Sequence, residues 1–242
     1  MKYELDVHCH TVNSGHGYST VSENAAHAAS IGLKYIGVAD HGPRMPGGAH
    51  LYYFSNLWIL PEIINGVRVF KGAEANIINP EGKLDMPDYI LAKLEFVIAS
   101  MHRGVIPPSN KSDHTSAMVN AMENPNVHIL GHPGDFCYDI DIEAVIRQAA
   151  RTNTIIEINN ASLNPGSHRF QGDDIFIDIL TLCKELNVPV LASSDAHYCT
   201  LVGGIDQALA VINKVGISSE HLLNTSAANF LAAIERKRKW IT

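Results

Sequence analysis

Apolar residues fall along this chain in short β-branched runs, separated by longer stretches with helical period. The runs Glu4–Cys9, Tyr35–Ala39, Val67–Ala73, Phe96–Ser100, Val127–Leu130, Ile155–Ile158 and Val190–Ala192 predict seven strands. Between and after them the spacing predicts helices at Glu23–Ile31, Ser55–Asn65, Asp88–Leu94, Thr115–Glu123, Asp141–Asn153, Asp173–Asn187, Ile205–Val215 and Ser226–Lys237. Ser22 is placed to cap the first helix and Gly32 to end it. The run Arg236-Lys237-Arg238-Lys239 suits the negative end of the last one. Trp58 with Leu57 and Ile59 reads as a helix packing face.

Strand–helix alternation means parallel strands joined by crossover helices. Seven repeats at this spacing favour an α/β fold with a closed or nearly closed barrel, with a doubly wound open sheet as the alternative. No linker, low-complexity segment or charge block interrupts residues 1–242, which therefore read as a single domain. No GxGxxG or GxxxxGK[ST] follows a strand, so dinucleotide and P-loop nucleotide binding lose their usual support.

Composition narrows the classes. With 46% apolar residues the chain can bury a sizeable core, and a net charge of −7 argues against a nucleic-acid coat. Cys9, Cys137, Cys183 and Cys199 are scattered without a CxxC pair, as expected of reduced thiols in a cytoplasmic protein. Cys9 is expected in the core. Neither a signal peptide nor a membrane-spanning apolar run is visible, so no membrane partner is expected. The 13 histidines outnumber both phenylalanine and tyrosine.

Their positions are not random. The first strand ends in His8-Cys9-His10, and residues two apart on a strand share a face. The second runs into Asp40-His41, the third into Glu74, the fourth into His102, the fifth into His132, and the seventh into Asp195-Ala196-His197. In an α/β barrel those ends converge on one mouth. His16, between two glycines in the loop after the first strand, joins them. Imidazole suits Zn, Fe, Ni or Cu, some carboxylate extends the range to Mn, and a hard Mg or Ca cage is not expected. One zinc takes about three or four protein ligands. The nine residues gathered here therefore imply two or three ions.

The segments DVHCHTVNSGHGYST (6–20), VADHGP (38–43), GAEANI (72–77), ASMH (99–102), NVHILGHPG (126–134), EINNAS (157–162) and SSDAH (193–197) together resemble the PHP (polymerase and histidinol phosphatase) superfamily, most closely its YcdX-like phosphatase branch. The resemblance implies a distorted (β/α)7 TIM-like barrel with the active site at the C-terminal ends of the strands. It also implies a trinuclear, usually zinc, centre that hydrolyses small phosphate monoesters through a metal-activated hydroxide. Carried over residue by residue, one ion would be held by His8, His10, Glu74 and Asp195. A second would use Glu74 as a bridge, with His102 and His132, and a third His16, His41 and His197. Glu74 and Asp195 would be the catalytic carboxylates, as ligands that activate water. Related proteins of that branch form oligomers, which leaves a homo-oligomer open.

Around this centre, Asp40 could orient an imidazole or simply cap a turn, and Asn159 and Asn160 could reach substrate or close a turn. Arg169 is a phosphate-clamp candidate, with a solvated loop arginine as the alternative, and His168 is a substrate-binding candidate. The loop 164–169 does not align cleanly with the branch pattern, and Arg103, directly after His102, is not matched to it. His27, His50, His114, His128 and His221 read as structural. Two other functions remain in view: a PHP-type 3′–5′ exonuclease or phosphodiesterase, and a non-catalytic metal-binding module.

Overall fold

The computed structural model describes residues 3–170 and 172–241. Its strands are β1 (Leu5–Cys9), β2 (Tyr35–Val38), β3 (Ile63–Ile64), β4 (Val67–Asn76), β5 (Phe96–Ser100), β6 (Ile129–Leu130), β7 (Ile155–Asn159) and β8 (Val190–Ser193). Seven of them run parallel in the order β1-β2-β4-β5-β6-β7-β8, while β3 pairs antiparallel with β4. The helices are α1 (Val21–Ser30), α2 (Leu51–Ser55), α3 (Asp88–Leu91), α4 (Lys111–Ala121), α5 (Ile142–Thr152), α6 (Asp174–Glu185), α7 (Asp206–Val215) and α8 (Ala227–Arg238). This is the expected strand–helix alternation, nearly closed into a barrel.

Closure fails only between β1 and β8, where a single bridge, Cys9 to Ala196, replaces a ladder among the described residues. Side chains fill that seam. Asn224 donates from Nδ2 to Leu5 O at 3.1 Å on one side and to Ala192 O at 2.8 Å on the other. Its Oδ1 accepts from Ala192 N at 2.8 Å. The Asp6 carboxylate spans the same gap, accepting from Ser194 Oγ at 2.5 Å and Gly203 N at 2.8 Å.

The barrel interior is filled by side chains. Gly37 and Gly72 leave room that the Phe96 ring occupies, since a Cβ at either would lie under 3 Å from it. Phe230 of α8 packs on Phe70 and Phe96 at centroid distances of 5.6 and 6.2 Å. Arg238, at the end of α8, donates to Leu94 O and Glu95 O just before β5. Helix α8 therefore plugs the N-terminal end of the barrel and leaves the other end open. Burying a phenylalanine such as Phe230 stabilises the fold by about 1.5–3 kcal/mol.

Three local expectations are corrected. Helix α1 is capped by Thr20, not Ser22, through a reciprocal capping box with Glu23. The Ser55–Asn65 helix does not form: α2 ends at Ser55, one 3-10 turn follows, and the chain enters a β3–β4 hairpin. The Asn65-Gly66 pair, with φ of 53° and 80°, makes the left-handed two-residue turn that such hairpins require. Consequently Leu57 is buried while Trp58 and Ile59 face solvent at 73% and 63% exposure. Finally, β4 runs on to Asn76 instead of stopping at Ala73, which places both Glu74 and Asn76 on one strand face.

Candidate metal centre

All nine residues expected as ligands meet at the open end. Glu74, 1% exposed, is the hub. Its Oε1 lies 3.4 Å from His8 Nε2, 3.2 Å from His102 Nε2 and 3.1 Å from His132 Nε2. Its Oε2 lies 2.6 Å from His41 Nδ1 and 3.6 Å from His10 Nε2. Asp195 Oδ1 faces His10 Nε2 at 3.0 Å and His8 Nε2 at 3.6 Å. His16 and His197 turn their Nε2 atoms toward each other at 3.0 Å.

Local backbone explains the convergence. His132 and Asp195 both sit at positive φ, 60° and 55°, a conformation that L residues hold only when the surroundings impose it. Before His132, a Cβ at Gly131 would lie 2.0 Å from Ser100 Oγ, so only glycine lets that turn pack. Asp6 fixes the Ser194 backbone and hydroxyl immediately before Asp195.

Four of the inward nitrogens, those of His8, His10, His102 and His197, are aimed by a partner on the other side of the ring. Ser14 Oγ donates to Asp40 Oδ1 at 2.6 Å, so toward His10 Nδ1, 2.9 Å away, it can only accept. That puts the proton on Nδ1 and the lone pair on Nε2. Glu157 Oε1 accepts from His8 Nδ1 at 2.5 Å with the same consequence. Asn76 gives its amide protons to Asp85, leaving Oδ1 to accept from His102 Nδ1 at 2.7 Å. His197 Nδ1 lies 2.9 Å from Asp195 O.

The result is a crowd of inward ring nitrogens and carboxylate oxygens, several of which meet no hydrogen-bond geometry. His8 Nε2, His10 Nε2, His41 Nδ1 and Glu74 Oε2 are buried without a hydrogen-bond partner. Donor atoms fall within 4.8 Å of one another in three sets: His8, His10 and Glu74; His10, His41 and His197; His41, Glu74 and His102. Orphaned buried acceptors of this kind cost free energy unless cations fill the gaps, so the residues fit a metal cluster.

The charge balance is strained in the same sense. Burial alone would raise the Glu74 carboxyl, but His102, His8 and His41 outweigh it and hold Glu74 well below the usual carboxylate range. Asp195 is likewise low, because Arg169 and His8 outweigh its burial. Burial pushes His102 down to about 4 and His10 well below its ordinary value. His8 goes the other way, Glu157, Glu74 and Asp195 outweighing its burial to hold it well above its ordinary value, and His132 is raised by its hydrogen bond to Glu74, so ligation at these two rings would displace protons.

Several other expectations are now resolved. Asp40 accepts from Thr11 N, Thr11 Oγ1, Ser14 Oγ and Tyr53 OH, so it orients His10 through Ser14. Asn159 Nδ2 donates to Asp195 Oδ2 at 3.2 Å, whereas Asn160 Oδ1 caps α7 by accepting from Gln207 N and Ala208 N. Arg169 is not a solvated loop residue: its side chain is 14% exposed and ion-paired with Asp195, and its Nε is buried without a partner. His168 is exposed at the mouth. Both line a cleft of 250 Å³ over the cluster, with Met45, Met101, Arg103 and Asp135. His50 caps α2 and His114 ties Ser109 to Asp139, both structural as expected. Cys9 is buried against α1.

Glu157, Asn76, Asp85 and Ser14 were not singled out as functional from sequence. Glu157 carried one legible signal, a carboxylate in the apolar run of β7, two residues from the strand end.

No family model matches the chain. Its curated relatives include a "probable phosphatase" of Thermoanaerobacter sp., 45% identical over 242 residues, covering 100% of this chain and 98% of that protein. Another, from Caldicellulosiruptor saccharolyticus, is 45% identical over 231 residues, covering 96% and 95%. A third, from Clostridium novyi, is 40% identical over 239 residues, covering 99% and 97%. Among solved structures, the fold is similar to histidinol phosphate phosphatase from Lactococcus lactis, determined with zinc, L-histidinol and phosphate. The TM-score is 0.64 at 18% identity, covering 89% of this chain and 95% of that one. A chain of an archaeal ribonuclease P with mature tRNA gives 0.53 at 14% identity, covering 88% and 87%.

Proposed function

The chain belongs to the family of these probable phosphatases, and on that premise we propose that it is a metal-dependent phosphoric ester hydrolase acting on small phosphate monoesters. The observation that carries the metal reading is Glu74, a buried carboxylate with imidazole nitrogens of His8, His10, His41, His102 and His132 all within 3.6 Å. Three divalent ions, zinc foremost with Mn or Fe as substitutes, would be held in three groups. These are His8, His10, Glu74 and Asp195; Glu74, His102 and His132; and His16, His41 and His197. The three close donor sets share His10, His41 and Glu74, which supports one coupled cluster over separate sites. When bound, such ions neutralise phosphate oxygens and acidify water.

The chain's own residues do the rest. Arg169 offers its unpartnered Nε to a phosphate oxygen while its terminal nitrogen stays on Asp195. Asn159 and Arg169 together fix Asp195 Oδ2, so Oδ1 faces the histidines. Met45 and Met101 narrow the cleft and limit water around the ester. His168 at the mouth is placed to contact the leaving group. No helix among the described residues is long and apolar enough to cross a membrane.

The test is chelation of the purified protein, then reconstitution with Zn or Mn and assay on p-nitrophenyl phosphate. Turnover that returns with metal is the expected result. Release of nucleotides from single-stranded DNA ends alone would favour the exonuclease. Full metal uptake with neither activity would leave a metal-binding module.

A further inference from the structure

Arg103 is presented to the cleft by a turn that the fold holds rigidly. Val105 N and Ile106 N donate to His102 O at 2.8 and 2.9 Å, and Tyr138 OH donates to Ile106 O at 2.7 Å. Gly104 lets the turn press on Pro46, to which a Cβ there would stand at 3.1 Å. The guanidinium follows directly on His102 and lines the cleft beside Met45, Asp135 and His168.

Two arginines and two aspartates line that cleft, but they are not paired evenly. Arg169 is committed to Asp195, and the Asp135 charge also acts on Arg169. Asp135 Oδ1 accepts from Cys137 N at 2.8 Å. Among the described residues Arg103 makes no ion pair within 4.0 Å. Its side chain is hydrogen-bonded to Cys137, a neutral partner, so a cation without a carboxylate partner stands at the outer edge of a site whose inner end is read as taking phosphate. The cleft, at 250 Å³, is smaller than the roughly 300–1,000 Å³ of ordinary ligand pockets. An ester bound at the cluster would hold the far end of a short leaving group near Arg103.

We infer that the substrates are phosphate monoesters whose leaving group carries a second anionic group, a carboxylate or another phosphate, and that Arg103 selects for it. Guanidinium is suited to both, because its planar fork pairs with either oxyanion. An ammonium-bearing leaving group would gain no pairing with Arg103. This inference rests on the phosphatase reading and adds the charge of the leaving group to it.

Three matched two-carbon esters test it on the metal-loaded protein: 2-phosphoglycolate, ethylene glycol monophosphate and ethanolamine phosphate. The expected kcat/KM is highest for the anionic ester, about tenfold or more above the neutral and the cationic ones, as for a charge-assisted hydrogen bond. In Arg103→Ala the ratio of anionic to neutral ester should fall toward one, chiefly through KM, and Arg103→Lys should recover part of it. Metal content and thermal unfolding, read on the same samples, show that the variants are folded. Equal turnover of the three esters, a preference for the ammonium ester, or an Arg103→Ala protein that keeps the wild-type ratio would overturn the inference and leave the phosphatase reading standing. Cleavage of none of them, nor of p-nitrophenyl phosphate, would overturn both.

Discussion

Ser14 Oγ lies 2.9 Å from His10 Nδ1, and because its own proton goes to Asp40 it accepts from both that ring and the His41 N–H. One hydroxyl thus sets the tautomer of one candidate ligand and the backbone of another. Ser14→Ala removes the acceptor and leaves Asp40 with donors only from Thr11 and Tyr53. Loss of such an outer partner weakens metal binding by about 10–100-fold. Competition titration with a chromogenic chelator should show that drop for Ser14→Ala, with zinc bound less tightly than in the wild type. Equal affinity would mean that Ser14 only packs the loop.

Glu74 offers both oxygens to different histidines, so its removal should dismantle the cluster and not just one position. Glu74→Ala is expected to bind fewer ions by elemental analysis and to lose phosphatase activity at saturating zinc. Unchanged turnover in that variant would sink the cluster reading.

The barrel and the gathering of histidines and carboxylates at its mouth were legible because both follow from period and position. Strand runs alternate with helices, and His8, His10, His41, His102, His132, Asp195 and His197 stand at strand ends that any such barrel brings together. Glu74 was legible although β4 extends beyond it to Asn76, since its side chain still reaches the mouth. What stayed hidden depends on partners far apart in the chain. Asn76 matters only because Asp85 takes its amide protons, and Glu157 only because β7 lies across the barrel from β1. The Ser55–Asn65 segment misled because Leu57, Trp58 and Ile59 look like one apolar helix face, whereas the Asn65-Gly66 turn commits Ile63 and Ile64 to a hairpin. Arg169 reads as solvated until Asp195 is seen opposite it.

Glu157 gives the second outer-partner prediction. Its Oε1 takes the His8 Nδ1 proton at 2.5 Å and the Ser193 hydroxyl as well. Glu157→Gln keeps the shape but replaces a charged acceptor by a neutral one. Zinc affinity should fall by about 10–100-fold, while the far-ultraviolet circular dichroism stays that of the wild type. Wild-type affinity in Glu157→Gln would remove Glu157 from the centre.

Away from the site, Lys237 provides a pH signature. It is fully buried, its Nζ donating to Met122 O at 2.6 Å and lying 5.0 Å from the Trp240 ring, with Glu123 and Arg151 acting on its charge. Burial lowers its pKa from 10.5 to about 7, so between those values the folded protein holds fewer protons than the unfolded chain. Stability from this group therefore rises with pH across that window, at up to about 1.4 kcal/mol per pH unit. Urea titrations from pH 7 to 9 should show the wild type gaining up to about 2 kcal/mol relative to Lys237→Met. Parallel curves would show that the lysine is solvated or fully charged in the fold.

The unladdered seam between β1 and β8 makes Asn224 a structural residue out of proportion to its size. Its Nδ2 holds Leu5 O and Ala192 O, its Oδ1 holds Ala192 N, and its own carbonyl accepts from Glu4 N at 2.8 Å. Asn224→Ala strands three backbone groups of the neighbouring strands in a buried place, and unsatisfied buried polar groups cost about 1–3 kcal/mol each before relaxation. A net loss of about 2–4 kcal/mol is expected, seen as a lower urea midpoint at unchanged slope. Asn224→Asp retains the acceptor for Ala192 N but sets a buried carboxylate oxygen against the Leu5 and Ala192 carbonyls, so it should be at least as destabilising as Asn224→Ala. Because β1 carries His8 and His10 and the β8 loop carries Asp195, a loosened seam should also weaken zinc binding in Asn224→Ala, and metal titration below the unfolding midpoint reads that directly. A variant that loses stability with full zinc affinity would show that the ligand ends of β1 and β8 are held by Asp6 and the Cys9–Ala196 bridge alone.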